Sequence, residues 1–103
     1  MTGMRIVCTL GAGDLAAQRE HWGRLIAASA LERTERPDGL RIRFRPDRGV
    51  ADDLHALVAT ERECCAWARW SVTVAADQVV LDITSTGDGI TALHSMFTEA
   101  GAI

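Results

Sequence analysis

Lysine, tyrosine and asparagine are missing from this chain of 103 residues. All 11 basic residues are therefore arginine, set against 14 acidic ones for a formal net charge of −3. That balance excludes a chain built mainly to grip a phosphate backbone, and no nucleic-acid partner is expected. The missing lysine, together with abundant alanine, reads as codon bias in a GC-rich genome and carries little functional content. No apolar run approaches the length of a bilayer span, so no membrane partner is expected. Nor does the chain open on the charged, apolar, then small-residue series of a secretory signal. Cysteine is scarce and odd in number: Cys8, Cys64 and Cys65. An odd set cannot close wholly into intrachain disulfides, so free thiols in a reducing, cytoplasmic setting are expected.

What is present is ordinary for a globular chain: 48% apolar and 24% charged residues. Disorder and a small disulfide scaffold are both excluded by these values. A length near 100 residues predicts a single domain over 1–103, with 1–3 as a short tail.

Met4 to Leu10 alternates, with Met4, Ile6, Cys8 and Leu10 on one face, and reads as a strand. Gly11-Ala12-Gly13 then turns the chain, and Asp14 can cap a helix running to about Ala30 or Arg33. Gly11 to Ala16 has the outline of a dinucleotide-binding loop. Asp14, however, sets a negative charge where a pyrophosphate would lie, so the segment reads as turn and cap. Trp22, Leu25, Ile26 and Ser29 continue a helical stripe that begins at Leu15. Arg36-Pro37-Asp38-Gly39 is a turn signal, and a strictly alternating strand follows it. Leu40, Ile42 and Phe44 face one way there, and Arg41, Arg43 and Arg45 the other.

A second helix spans about Ala51 to Cys65. Two further strands, from Trp70 and from Val79, form a hairpin turning near Ala76-Asp77. Asp88 can cap a last helix, whose stripe is Ile90, Leu93, Phe97 and Ala100. The order is β-α-β-α-β-β-α, with one apolar and one polar face on every strand. It predicts an α/β (α+β) two-layer sandwich, a mixed four-stranded sheet with helices on one face. The open sheet face, with its arginine stripe, is the place where a homodimer could form. The stripe itself reads as a solvated strand face balanced by Asp82.

The chemistry concentrates in Glu61-Arg62-Glu63-Cys64-Cys65-Ala66-Trp67. At 100° per residue, Glu61 falls on the stripe of Leu54, Leu57 and Val58, and its i+3 and i+4 neighbours are Cys64 and Cys65. A carboxylate on a buried stripe is costly unless paired or hydrogen-bonded. Arg62 and Glu63 point outward. Strand parity commits Cys8 to the same interior as the pair. A lone buried cysteine is usually a small hydrophobe, but an adjacent pair one turn after a buried acid is better read as a site. Three thiolates suit a soft ion: Cu(I), Hg(II), Zn(II) or trivalent arsenic. His21 and His55 read as surface residues and His94 as half-buried packing, while Trp22, Trp67 and Trp70 read as core and rim.

Cys8-Thr9-Leu10, Trp22, Glu61, Cys64-Cys65, Trp67 and Trp70 together resemble a pattern found in short actinobacterial-type proteins. In that pattern a strand ends Cys-Thr-Leu and a helix bearing Trp precedes Glu-x-x-Cys-Cys-Pro-Phe. Ala66 replaces the usual Pro, which lets the helix run on, and Trp67 and Trp70 take Phe positions. The resemblance implies a link to heavy-metal, mercury-type resistance.

The leading expectation is thus a small protein that binds a soft metal or metalloid ion. Cys8, Cys64 and Cys65 are its candidate metal ligands, and Glu61 accepts or supplies the proton. One alternative uses the same residues for organomercurial lyase-like protonolysis, with Glu61 as the catalytic acid. Another is a dithiol redox protein cycling Cys64 and Cys65. Glu61 and the late position of the pair in its helix both work against a thiolate there.

Overall fold

A computed structural model describes residues 12–64 and 66–100 of the chain, with side chains described for 16–63 and 66–95. In chain order the elements are α1 (Ala12–Ser29), β1 (Ala30–Arg36), β2 (Gly39–Phe44), α2 (Val50–Cys64), β3 (Arg69–Val74), β4 (Val79–Thr84) and α3 (Asp88–Ala100). This is an α+β fold with helices over one face of a four-stranded sheet. The expected strand at Met4–Leu10 lies outside the described residues.

The alternation of β2 explains the layering. Leu40, Ile42 and Phe44 are at most 1% exposed, and they lie beside Leu81 and Ile83 of β4, both wholly buried. Onto that face pack Trp22, Leu25 and Ile26 from α1, Leu54, Leu57 and Val58 from α2, and Leu93 from α3. Arg41, Arg43 and Asp82 alternate onto the opposite face and stay half-exposed. The arginine stripe is answered member by member, as expected of a solvated strand face. Arg41 holds both oxygens of Asp82, at 2.8 and 3.2 Å. That hydrogen bond first, and the charge of Asp82 second, raise the guanidinium above its ordinary pKa. Arg43 donates to Glu32 at 2.9 Å and to Gln78 at 3.1 Å. Arg45 reaches Asp47 and the carbonyl of Ala28.

The sheet order is β1-β2-β4-β3, and every neighbouring pair is antiparallel. β2 and β3 both run against β4, so they are parallel to one another, with α2 crossing between them. The expected β-α-β unit is therefore present but split, with β4 inserted between its strands. Among the described residues no neighbouring strands are parallel, whereas a mixed sheet was expected.

The first helix ends sooner than its sequence predicts. Residues 30–36, Ala-Leu-Glu-Arg-Thr-Glu-Arg, are good helix formers, yet they form a strand. Propensity is a weak prior, and pairing overrides it here. Pro37-Asp38 makes a tight turn that lays β1 along β2. No non-glycine residue among the described ones has positive φ, which fits a type I turn with proline at its first central position. Glu32 then faces Arg43 across the pair, and a bulge between Ala30 and Glu32 leaves Leu31 outside the register. At its other end α1 begins at Ala12, so Asp14 sits within its first turn instead of capping it.

Gly39 opens β2 because nothing larger fits there. A Cβ on it would lie 1.9 Å from the carbonyl oxygen of Ile83. Its own carbonyl meets His94 Nε2 at 2.8 Å, which seats α3 over the start of β2. Among the described residues no helix is long and apolar enough to cross a membrane.

Candidate functional site

Glu61 lies on the inner face of α2, where Leu54, Leu57 and Val58 are also buried, and it is only 3% exposed. An acid placed there needs hydrogen-bond donors, because its water has been stripped away. Two come from α1. Trp22 Nε1 and Gln18 Nε2 each donate to Oε2 at 2.8 Å. Gln18 and Trp22 are four residues apart, so one turn of α1 presents both donors to the same oxygen. Gln18 Nε2 also reaches the carbonyl of Leu57 at 3.1 Å, tying the acid's own helix to α1 a second time.

The indole that holds Glu61 is itself held. Trp22 stacks on Trp70 of β3, with ring centroids 6.3 Å apart and planes 29° apart. Arg62 points outward as expected, but its Nη2 turns back to donate to the carbonyl of Trp70 at 2.7 Å. Glu61 and Arg62 are thus adjacent in sequence and address opposite sides of one structural knot. α1, α2 and β3 all contribute to it, and the knot fixes where the carboxylate sits.

α2 ends at Cys64, one turn beyond Glu61. The side chain of Cys64 lies outside the described residues, as do Cys65 and Cys8, so the expected three-thiol cluster is not described. Among the described residues no group of three or more histidine, cysteine, aspartate or glutamate side chains could hold a metal ion. The histidines lie where expected. His55 is exposed, His21 sits 3.7 Å from Asp53 near the surface, and His94 is half-buried. All three tryptophans belong to the core.

Sequence spacing places Glu61 on a buried stripe and Trp22 in the core or rim, but it does not show that the two are bonded to each other. The readable signal for the second donor is Gln18 itself, a polar residue one turn before the buried Trp22. The partnership of Trp70 with Trp22 depends on the order of strands and has no local signature. Compared with protein-family models, curated proteins and solved structures, the chain shows no significant similarity to any.

Proposed function

We propose that this protein captures a soft metal or metalloid ion of the Hg(II), Cu(I), Zn(II) or arsenite class through Cys64 and Cys65, with Cys8 as third ligand. The observation that supports the reading is the buried Glu61 carboxylate, anchored by Gln18 and Trp22 one turn before the cysteine pair. A thiol must lose its proton to bind such an ion, and a positioned carboxylate is the group that takes it. The resemblance to short proteins linked with heavy-metal resistance points the same way. The chemistry requires reduced thiols, which matches a cytoplasmic setting.

The bound ion also supplies the positive charge that a thiolate at this place otherwise lacks. The C-terminal end of α2 and Glu61 are both electronegative surroundings, which disfavour a free thiolate and with it the dithiol redox alternative. Protonolysis of a carbon–mercury bond uses the same acid and thiols. It requires Glu61 to return its proton to the leaving carbon.

Titration of the reduced protein with each ion, followed by thiolate-to-metal absorbance, tests the reading. The Cys64→Ser/Cys65→Ser variant is expected to lose tight binding, and parental affinity in that variant overturns the assignment. Glu61→Gln is expected to slow uptake near neutral pH while keeping the fold. Release of hydrocarbon from a simple organomercurial over many turnovers would establish the lyase reaction in addition to capture.

A further inference from the structure

Among the described residues the sheet ends on two unpaired edges, β1 and β3, and they are built differently. β1 is guarded. Its Glu35 and Arg33 stand opposite Leu40 and Ile42, so they carry charge onto the apolar side of the sheet, and a bulge interrupts it between Ala30 and Glu32. Inward charges and bulges are devices that keep an edge strand from pairing further. β3 has neither. From Trp70 to Val74 it contains no charge and no proline, and its register with β4 is unbroken. Val72 and Val74 lie on the apolar side, opposite the buried Leu81 and Val79, yet Val72 is only half-buried and Val74 is 56% exposed.

The chain enters α1 at the end of the sheet where β3 begins. The Arg45 N–H donates to the Ser29 carbonyl at 2.8 Å, which sets the last residue of α1 beside the end of β2. Gln18 meets Leu57 and Glu61 in the second half of α2, whereas His21 lies 3.7 Å from Asp53 near its start, so the two helices are antiparallel. The 18 residues of α1 span about 27 Å at 1.5 Å per residue. That length carries Ala12 to the opposite end of the sheet, where Gly39, Thr84 and Arg69 lie side by side. A strand over 4–10, the span whose alternation predicts one, leads into α1 from that end. Its direction is therefore parallel to β1 and antiparallel to β3.

We propose that the open edge of β3 is the docking site for the chain's own residues 4–10, which pair with it as a fifth strand. Handedness selects this edge over β1. α1 and α2 both cover the apolar face of the sheet, and the crossover through α2 steps from β2 across to β3. The strands joined through α1 point the opposite way, so a crossover of the same hand must step back, from the β3 side to β1. Such crossovers are right-handed in about 98% of cases, and a strand beside β1 would make a left-handed one. The faces agree as well. With Leu10 opposite Trp70, Cys8 falls opposite Val72 and Ile6 opposite Val74, all on the apolar side. Thr9 and Val7 then stand opposite Ser71 and Thr73 on the open face, where hydroxyl and β-branched side chains pair well. The pairing stands on the sheet alone. Under the metal-binding reading above, it also brings Cys8 onto the face of the sheet where α2 packs against β3.

Nuclear Overhauser spectroscopy and amide exchange on the isotope-labelled full chain, reduced and metal-free, test the proposal. Backbone contacts between residues 6–10 and 70–74 are expected, in the register that sets Leu10 opposite Trp70. The alternate β3 amides that face away from β4 should exchange slowly, whereas at a free edge they exchange with water. Ile6→Asp puts a charge on the apolar side and should speed those amides about tenfold or more, while Arg5→Ser on the open face should not. Fast exchange of the outward β3 amides in the parent chain overturns the proposal. So do contacts of residues 4–10 with β1, or contacts between the β3 strands of two copies in a mixed labelled and unlabelled sample. Cys64→Ser/Cys65→Ser separates the two readings: it should keep the strand contacts while losing the metal, so either can fail alone.

Discussion

Replacing Glu61 by alanine takes an acceptor away from the Trp22 indole N–H and from the Gln18 amide. Trp22 is 2% exposed, so water does not readily take the carboxylate's place. A buried donor deprived of its acceptor costs about 1–3 kcal/mol. Gln18 is half-buried and keeps the carbonyl of Leu57, so its share is small, about 0.5 kcal/mol. Truncation also removes buried methylene surface worth roughly 1 kcal/mol. Relief from burying an ionisable group offsets part of this. The net loss expected is about 2–4 kcal/mol, or roughly 10–25 °C in Tm for a domain of this size. Urea and thermal unfolding followed by circular dichroism measure it, with the exposed neighbour Glu63→Ala as the control. Surface substitutions of that kind stay within about 0.5 kcal/mol. Adding Trp22→Phe to Glu61→Ala completes a double-mutant cycle, and a coupling of about 1–3 kcal/mol between the pair is expected. If Glu61→Ala costs no more than Glu63→Ala, or if the cycle shows no coupling, the carboxylate is not the anchor described above.

Gly39→Ala would set a Cβ 1.9 Å from the carbonyl oxygen of Ile83, forcing β2 and β4 apart. A loss of about 3 kcal/mol or more, with faster exchange of the β2–β4 amides, is expected from such overpacking. Gly89→Ala pushes on Ser85 Oγ, 2.1 Å from the new Cβ. It should break the 2.9 Å hydrogen bond from the Ser85 hydroxyl to the Trp67 carbonyl and shift tryptophan emission while leaving the β1–β2 hairpin intact. Ile42, wholly buried in the middle of β2, should lose about 2–5 kcal/mol on replacement by alanine, read as a lower urea midpoint with unchanged slope. Metal capture is expected to follow Cys64 and Cys65, as set out for the Ser variant above.

Much of this architecture is written in local pattern. The period of two in Leu40, Ile42 and Phe44, against Arg41 and Arg43, determines which sheet face is buried. The helical period carries Glu61 onto the stripe of Leu54, Leu57 and Val58, and Pro37-Asp38 marks a turn, though not the strand that precedes it. Each of these signals lies within one element, where geometry ties sequence spacing directly to direction. Residues 30–36 show the limit of that logic, since their helix-forming side chains become a strand once β2 is there to pair with. The insertion of β4 between β2 and β3 has the same character, as do the stacking of Trp70 on Trp22 and the hydrogen bonds of Ser85 to the carbonyls of Asp38 and Trp67. They join residues distant in the chain, and no short-range spacing encodes them. Such contacts are decided by the shared burial of apolar faces and by the need of buried donors such as the Trp22 N–H for an acceptor. Only the folded chain can satisfy those two demands together.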